Sequence, residues 1–215
     1  MIEYIVSENI DDRVLSRTAA LFEEGALAAF PSDTSWLIGC SFRSRGGLKK
    51  LRALASKGAE TAGQREERNF TLLCSDIAQF GEFCSIDNTR FRLIKRLTPG
   101  PYVFILKTLL GTEKALNLKR GEIGVRIPNH PVPLALINTL GFPLYSVTAK
   151  KTMLELDAEY DEGEELFDGG WELDEIEGLD IILDTGDERP HIHTTVLDLR
   201  DETELIRAGA GLWPV

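Results

Sequence analysis

The sequence predicts an α/β protein with a mixed parallel and antiparallel sheet and flanking helices. Two patterns carry this expectation. Up to residue 148, short apolar runs of strand length alternate with stretches whose apolar residues recur at helical spacing, the order expected when helices cross over a sheet. Beyond residue 180, three strand-like runs follow with no helix between them, which calls for antiparallel partners within the same sheet. The composition agrees, since 43% hydrophobic and 27% charged residues are ordinary globular values and 215 residues suffice for one sizeable core. One domain over residues 1–215 is expected.

Asp11 and Asp12 are placed to cap and charge a helix start, with Val14, Leu15, Leu21 and Phe22 on one stripe and Gly25 as the stop. Residues 27–30 form a short apolar run cut by Pro31, which fits a buried strand. Leu48, Leu51 and Leu54 predict a helix after Gly46-Gly47, followed by a small polar loop over residues 58–64 and a strand over residues 70–74. Asp87 or Asn88 caps a helix carrying Phe91, Leu93, Ile94 and Leu97; Pro99-Gly100-Pro101 ends it, and residues 102–106 read as a strand. Residues 123–127 are a strand ending at Pro128, residues 131–140 a helix with early prolines and Gly141 at its end, and residues 144–148 a strand. Residues 181–183, 195–199 and 204–206 complete the set, the last two as a hairpin around Arg200-Asp201. No trailing domain is expected after Val215.

The net charge of −11 is unevenly placed. Residues 155–177 hold 12 acids and no Lys or Arg, which leaves 24 bases against 23 acids elsewhere. Residues 43–151 carry 19 bases against 8 acids, a local balance of +11 that either lines an anion-binding cleft or is scattered over solvated helix faces. Leu154, Leu166, Phe167 and Trp171 mark the acidic stretch as an ordered cover rather than a free tail. The N-terminus brings acids early, with no basic start before an apolar block, and no run approaches the length of a membrane span. Neither export nor membrane insertion is expected, and the expected location is cytoplasmic. Cys40, Cys74 and Cys84 form no C-x-x-C pair and, with His130, His191 and His193, no thiol-enzyme signature. Buried free thiols are the reading they support.

The loop Ser32-Asp33-Thr34-Ser35 offers hydroxyls, a carboxylate and backbone amides directly after a buried strand. Ligands gather at the carboxyl ends of strands in open α/β sheets, although the same residue types also make turns and helix caps. Arg126 stands at a later strand end within the basic half of the chain, where a guanidinium is expected to face the ligand cleft rather than the core, with an ordinary ion pair to one of the many acids as the alternative.

Five motifs recur in a fixed order. These are GxxxAFPSDT from Gly25, TPGPYVFIL from Thr98, IGVRIPNHP from Ile123, TTVLDL from Thr194 and LIRAGAG from Leu205. In this order they resemble the YrdC/YciO-like family, over roughly residues 20–212. The stretch RNFTLLCSDIAQF, followed by DNTRFRLIKRLTPGPYVFILK, is similar to the YciO branch in particular. The related YrdC and TsaC branch makes L-threonylcarbamoyl-AMP for the t6A modification of tRNA. The resemblance implies a twisted, open, mixed sheet with flanking helices and a concave basic cleft that binds a nucleotide or RNA.

It also implies site residues. Pro31, Asp33 and Thr34 match the family's P-T-D-T loop, with Ser32 keeping a hydroxyl, and the following Y-G-L reads Trp36-Leu37-Ile38. The K-x-R pair that embraces nucleotide phosphates aligns with Ala55-Ser56-Lys57, so two cations become one, and Lys57 cannot reproduce the fork of an arginine. Arg65 or Arg68 is placed to compensate if the adjacent insertion folds inward. Arg126 matches the V-R-x-P arginine, and His130 matches a frequent histidine that also suits a turn. S-A-N aligns with Thr148-Ala149-Lys150, the S-T before the final strand pair with Thr194-Thr195, and R-x-G with Arg207 and Gly209.

The first function this implies is an adenylating synthase. Threonine and bicarbonate form a carbamate that attacks the α-phosphate of ATP and expels pyrophosphate, usually with Mg²⁺. Ser32, Thr34 and Arg126 would hold the threonine end, while Lys57, Thr148, Lys150, Thr194, Thr195 and Arg207 would meet the nucleotide; no residue is assigned to hold a metal. The second is a non-catalytic nucleotide- or RNA-binding protein with eroded motifs, taking double-stranded RNA or tRNA in the same cleft. A third is an interaction protein whose acidic residues 155–177 dock a basic partner.

Overall fold

The computed structural model describes residues 1–57, 70–112, 121–154 and 165–214. The polar loop expected at residues 58–64, Arg65, Arg68 and the acids of residues 155–164 lie outside the described residues. In chain order the elements are β1 (Ile2–Tyr4), α1 (Asp12–Glu23), β2 (Ala28–Pro31), β3 (Trp36–Ser41), α2 (Arg45–Ser56), β4 (Thr71–Leu73), α3 (Ile77–Gly81), α4 (Asn88–Leu97), β5 (Tyr102–Lys107) and β6 (Glu122–Arg126). Then come α5 (Pro131–Leu140), β7 (Leu144–Thr148), β8 (Ile181–Asp184), β9 (Thr195–Asp198) and β10 (Glu204–Arg207), with 3₁₀ turns at Lys151–Leu154 and Gly170–Glu175. The strands form one open sheet in the order β1-β8-β2-β3-β7-β4-β6-β5-β9-β10. Pairing is mixed: β1 with β8, β2 with β8, β4 with β6 and β5 with β9 are parallel, and the other neighbours antiparallel.

Local chemistry sets the helix ends. Asp11 accepts from Arg13 N at 2.8 Å, Ser44 from Gly47 N at 3.0 Å and Asp87 from Arg90 N at 2.8 Å, each satisfying an amide that the first turn leaves without a partner. Gly25, at φ +86°, turns the chain out of α1, and Gly141, at φ +73°, ends α5, a backbone region open to glycine at little cost.

The two faces of the sheet are covered unequally. Leu48, Leu51 and Leu54 of α2, Phe80 of α3 and Ile94 and Leu97 of α4 pack with Trp36, Ile38, Tyr102, Phe104, Val125 and Leu197 into a core that also takes in Ala29 of β2 and Ile182 of β8 and extends to β9. On the other face, Leu15 and Phe22 of α1 and Val132, Leu136 and Ile137 of α5 pack only on β2, β3, β4, β7 and β8. On that face Val103 and Ile105 of β5 and Val196 of β9 remain half-exposed, so the strip across β5 and β9 is open. This unequal cover makes the cleft.

Every expected strand is present, with ends shifted by at most one residue. The structure adds β1, β3 and α3. All six residues of β3 are buried, so it shows no alternation, and its Gly39 resembles a turn signal in the sequence. The glycine is needed because a Cβ there would lie 2.9 Å from Tyr145 O of β7 and 3.0 Å from the Phe30 ring. β1 has three residues and gains its order from parallel pairing with β8, a contact between residues 180 apart for Ile2 and Ile182.

Candidate functional site

The cleft is lined by Leu37, Thr71, Leu73, Val103, Arg126, Ser146, Val147, Thr148 and Thr194. Strand register explains why these residues meet. Thr71 lies opposite Ser146, Leu73 opposite Arg126 and Leu37 opposite Thr148, so alternate positions on neighbouring strands face the same side. Ser146 and Thr71 are additional to the residues the sequence singled out. Ser146 had a signal, because it stands two residues before Thr148 on one strand and so shares its face.

The β2–β3 loop sits beside this cleft and is closed on itself. Ser32 N and Oγ donate to Ser35 O at 3.0 and 2.7 Å, and Thr34 N and Ser35 N donate to Ser32 Oγ at 3.3 Å each. The loop thus fixes Asp33 and Thr34 against β6. Arg126 Nη2 donates to Asp33 Oδ1 at 2.6 Å and to Thr34 Oγ1 at 3.2 Å. Arg126 is only 2% exposed. The guanidinium therefore lines the cleft and also belongs to the buried interior, where it was expected to stand clear of the core. Burial lowers its pKa and the adjacent Asp33 carboxylate raises it again. Arg126 Nε and Asp33 Oδ2 have no hydrogen-bond partner among the described residues.

His130 caps α5, accepting from Val132 N at 3.3 Å, and its Nε2 lies 3.1 Å from Arg189 Nη1. Burial, then the Arg189 charge, push its pKa down to about 4, against opposing pulls from Asp33, Asp187 and Glu8.

The nucleotide-end candidates scatter. Thr148 and Thr194 line the cleft. Arg207 Nε and Nη2 donate to Thr194 O and Oγ1 at 3.1 and 2.9 Å, holding that wall. Gly209 lets the C-terminal segment pass close behind, since a Cβ there would sit 2.4 Å from His193 O. Thr195 is fully buried and donates to Gly211 O at 2.6 Å, so its hydroxyl ties that segment down rather than opening to the cleft. Lys57 follows α2, with Nζ 3.9 Å from Glu177 Oε2. Ala55 is buried at 2% exposure. Lys150 Nζ lies 3.1 Å from Glu165 Oε1.

Several bases of the cationic half are occupied locally: Lys50 by Asp180, Arg90 by Asp87 and Lys107 by Asp201, while Arg43 stacks over the Phe142 ring at 4.4 Å. Among the described residues, Arg126 is the one cation in the cleft lining. Burial raises the Cys40 and Cys84 thiols to about 12 and Cys74 well above its usual value, so the three free thiols stay protonated at neutral pH. Among the described residues no group of three or more His, Cys, Asp or Glu side chains converges on a metal position, and no helix is long and apolar enough to cross a membrane.

Comparisons with known proteins agree with this architecture. The protein YciO of Escherichia coli K12, described as uncharacterized, is 30% identical over 97% of this chain and 95% of its own. Its crystal structure superposes with a TM-score of 0.78 at 28% identity, covering 99% of this chain and 97% of that one. A threonylcarbamoyl-AMP synthase of Xanthomonas axonopodis pv. citri is 29% identical over 63% of this chain and 70% of its own. The fold is also that of P. abyssi Sua5 complexed with L-threonine, with a TM-score of 0.78 at 22% identity, over 97% of this chain and 57% of that one. The Sua5/YciO/YrdC family model, described as telomere recombination, matches residues 20–209. With its open mixed sheet, its half-covered face and this match over most of its length, the chain belongs to the Sua5/YciO/YrdC family.

Proposed function

We propose that the cleft binds L-threonine and ATP and forms L-threonylcarbamoyl-AMP, the precursor of t6A in tRNA, within one cytoplasmic domain spanning the chain. The observation that carries this reading is the buried Arg126–Asp33 pair beside Thr34, with one guanidinium N–H and one carboxylate oxygen unpartnered. A guanidinium suits the carboxylate of an amino acid, and a carboxylate suits its nitrogen. The relationship to threonylcarbamoyl-AMP synthases and to a Sua5 crystallised with L-threonine supports the same assignment.

In this reaction the threonine nitrogen takes up bicarbonate with loss of water. The carbamate oxygen then forms a bond to the α-phosphorus of ATP as the bond to pyrophosphate breaks. Such chemistry needs positioning and charge neutralisation more than side-chain proton transfer. Thr34 and Arg126 hold threonine, and Thr148, Thr194 and Arg207 form the nucleotide wall. Ser32, whose hydroxyl is buried and donates to Ser35 O, fixes the loop that presents Thr34 instead of meeting the ligand. Mg²⁺ would be carried by the phosphates, its usual ligands, and would neutralise their charge. The test is incubation of the full chain with ATP, labelled bicarbonate and threonine. Threonine-dependent release of pyrophosphate and a labelled adenylate are expected, and no turnover above the no-threonine control sinks the reading.

A second reading has its own support. Lys57 and Lys150, the cations aligned with phosphate-binding positions, both face carboxylates. Such a site suits binding without turnover, with double-stranded RNA or tRNA as the partner. Salt-sensitive retention of tRNA by a chain that makes no adenylate would select it.

A further inference from the structure

This inference rests on the reading that a nucleotide's phosphates enter the cleft between the ends of β7 and β9. At that place the chain supplies an anion of its own. Lys150 stands two residues beyond Thr148 on one wall, and His193 directly precedes Thr194 on the other. Glu165 Oε1 lies 3.1 Å from Lys150 Nζ and 2.9 Å from His193 Nε2, so one oxygen ties the two walls together.

The backbone holds this carboxylate in place. Lys151 N donates to Glu165 O at 2.7 Å, and Lys150 and Leu166 form an antiparallel bridge. The Glu165 and His193 side chains are 12% and 11% exposed and Lys150 31%, so the contact lies between the interior and the rim. Burial, then the charges of Arg207 and Lys150, lower the His193 pKa against the pull of Glu165. A carboxylate oxygen only accepts, so the ring donates its Nε2–H to Glu165. Arg207 reaches the same wall through Thr194. One cation and a ring N–H converge on a single acceptor oxygen, with the Arg207 guanidinium held on the adjoining wall, a donor set that suits a phosphate.

We propose that the Glu165 carboxylate stands in for a ligand phosphate at the nucleotide end of the cleft and must be displaced by it, so that Glu165 sets the affinity and the charge threshold for phosphate ligands. A carboxylate carries one negative charge and a linked polyphosphate several, so exchange favours ligands with at least two joined phosphates. Glu165 is one of the 12 acids of residues 155–177 and the one the described structure brings to Lys150. It is thus a specificity residue of the cleft rather than part of a diffuse acidic screen.

The test titrates inorganic pyrophosphate into the parent, Glu165→Gln and Glu165→Gln/Lys150→Gln proteins, with melting temperature recorded for each. Gln preserves the shape and an acceptor oxygen and removes only the charge. Glu165→Gln should bind pyrophosphate about tenfold more tightly at low ionic strength, with the gain shrinking as salt rises. Adding Lys150→Gln should cancel the gain. A Glu165→Gln protein that melts lower and binds pyrophosphate no better overturns the proposal and makes the contact a structural tie. If that happens while the parent still makes adenylate, only this inference falls; if neither parent nor variants bind pyrophosphate or ATP, the proposed function falls with it.

Discussion

At one end of the cleft Arg126 and Asp33 pair at 2.6 Å with side chains 3% and 13% exposed; at the other, Lys150 and Glu165 pair at 3.1 Å with Lys150 at 31%. Both are a base from a strand end meeting an acid from a distant segment, but the surroundings give them different characters. In the interior, neither Arg126 nor Asp33 can lose its partner without leaving an uncompensated charge in low dielectric. At the second pair, water replaces much of what Lys150 loses, although Glu165 at 12% is as covered as Asp33, and a pair with one partly exposed partner is worth less to stability. The first pair is therefore part of the scaffold that presents a rigid polar surface. The second can exchange its carboxylate for another anion without unfolding anything.

The comparison breaks first at Arg126. Arg126→Ala should lower stability by about 3–5 kcal/mol in urea denaturation, because Asp33 is left buried and unpaired. Replacing both partners, as Arg126→Met with Asp33→Asn, should recover a large part of that loss while threonine binding stays absent. A fully stable Arg126→Ala protein would mean that the pair is solvated and that the two ends do not differ.

Thr194 and Thr195 sharpen the contrast within adjacent residues. Thr195→Val removes the donor to Gly211 O and should cost about 1–3 kcal/mol of stability while leaving nucleotide affinity unchanged. Thr194→Val alters the cleft lining and the anchor of Arg207, and should weaken nucleotide binding with a smaller change in denaturation midpoint. Equal effects of the two on binding would erase the distinction between tie and wall.

The pH response should come from the rigid end. The folded His130 pKa of about 4 lies below the ordinary value of 6.5, so the unfolded chain binds the extra proton in that window. Stability contributed by the neutral ring is present above about 6.5 and declines as pH falls towards about 4. His130→Asn keeps a helix cap without titrating, and the urea midpoint should then vary less across that range. An identical profile in the variant would place the titration elsewhere.

The smallest effect belongs to the rim. Lys150→Met should change stability by less than about 1 kcal/mol. A loss as large as that of Arg126→Ala would show that the rim pair is scaffold too, and the comparison would fail.

Periodicity and turn chemistry determined much of this protein before any contact was known. The helices capped by Asp11 and Asp87 and the strands at residues 102–106, 123–127 and 144–148 are read from neighbours within one or two turns of chain, because their causes are local. The ordered motifs likewise led to the loop at Ser32 and to Arg126 and Thr194. Tertiary structure alone decided what those groups became. That Arg126 is buried depends on Asp33, 93 residues away; that Lys150 is neutralised depends on Glu165; and that Thr195 is a tie while Thr194 is a wall depends on Gly211 and on which way each points from β9. The open strip itself exists because α1 and α5 cover only part of one sheet face. Burial and pairing are properties of how distant segments meet, and a residue's neighbours in sequence carry no record of its neighbours in space.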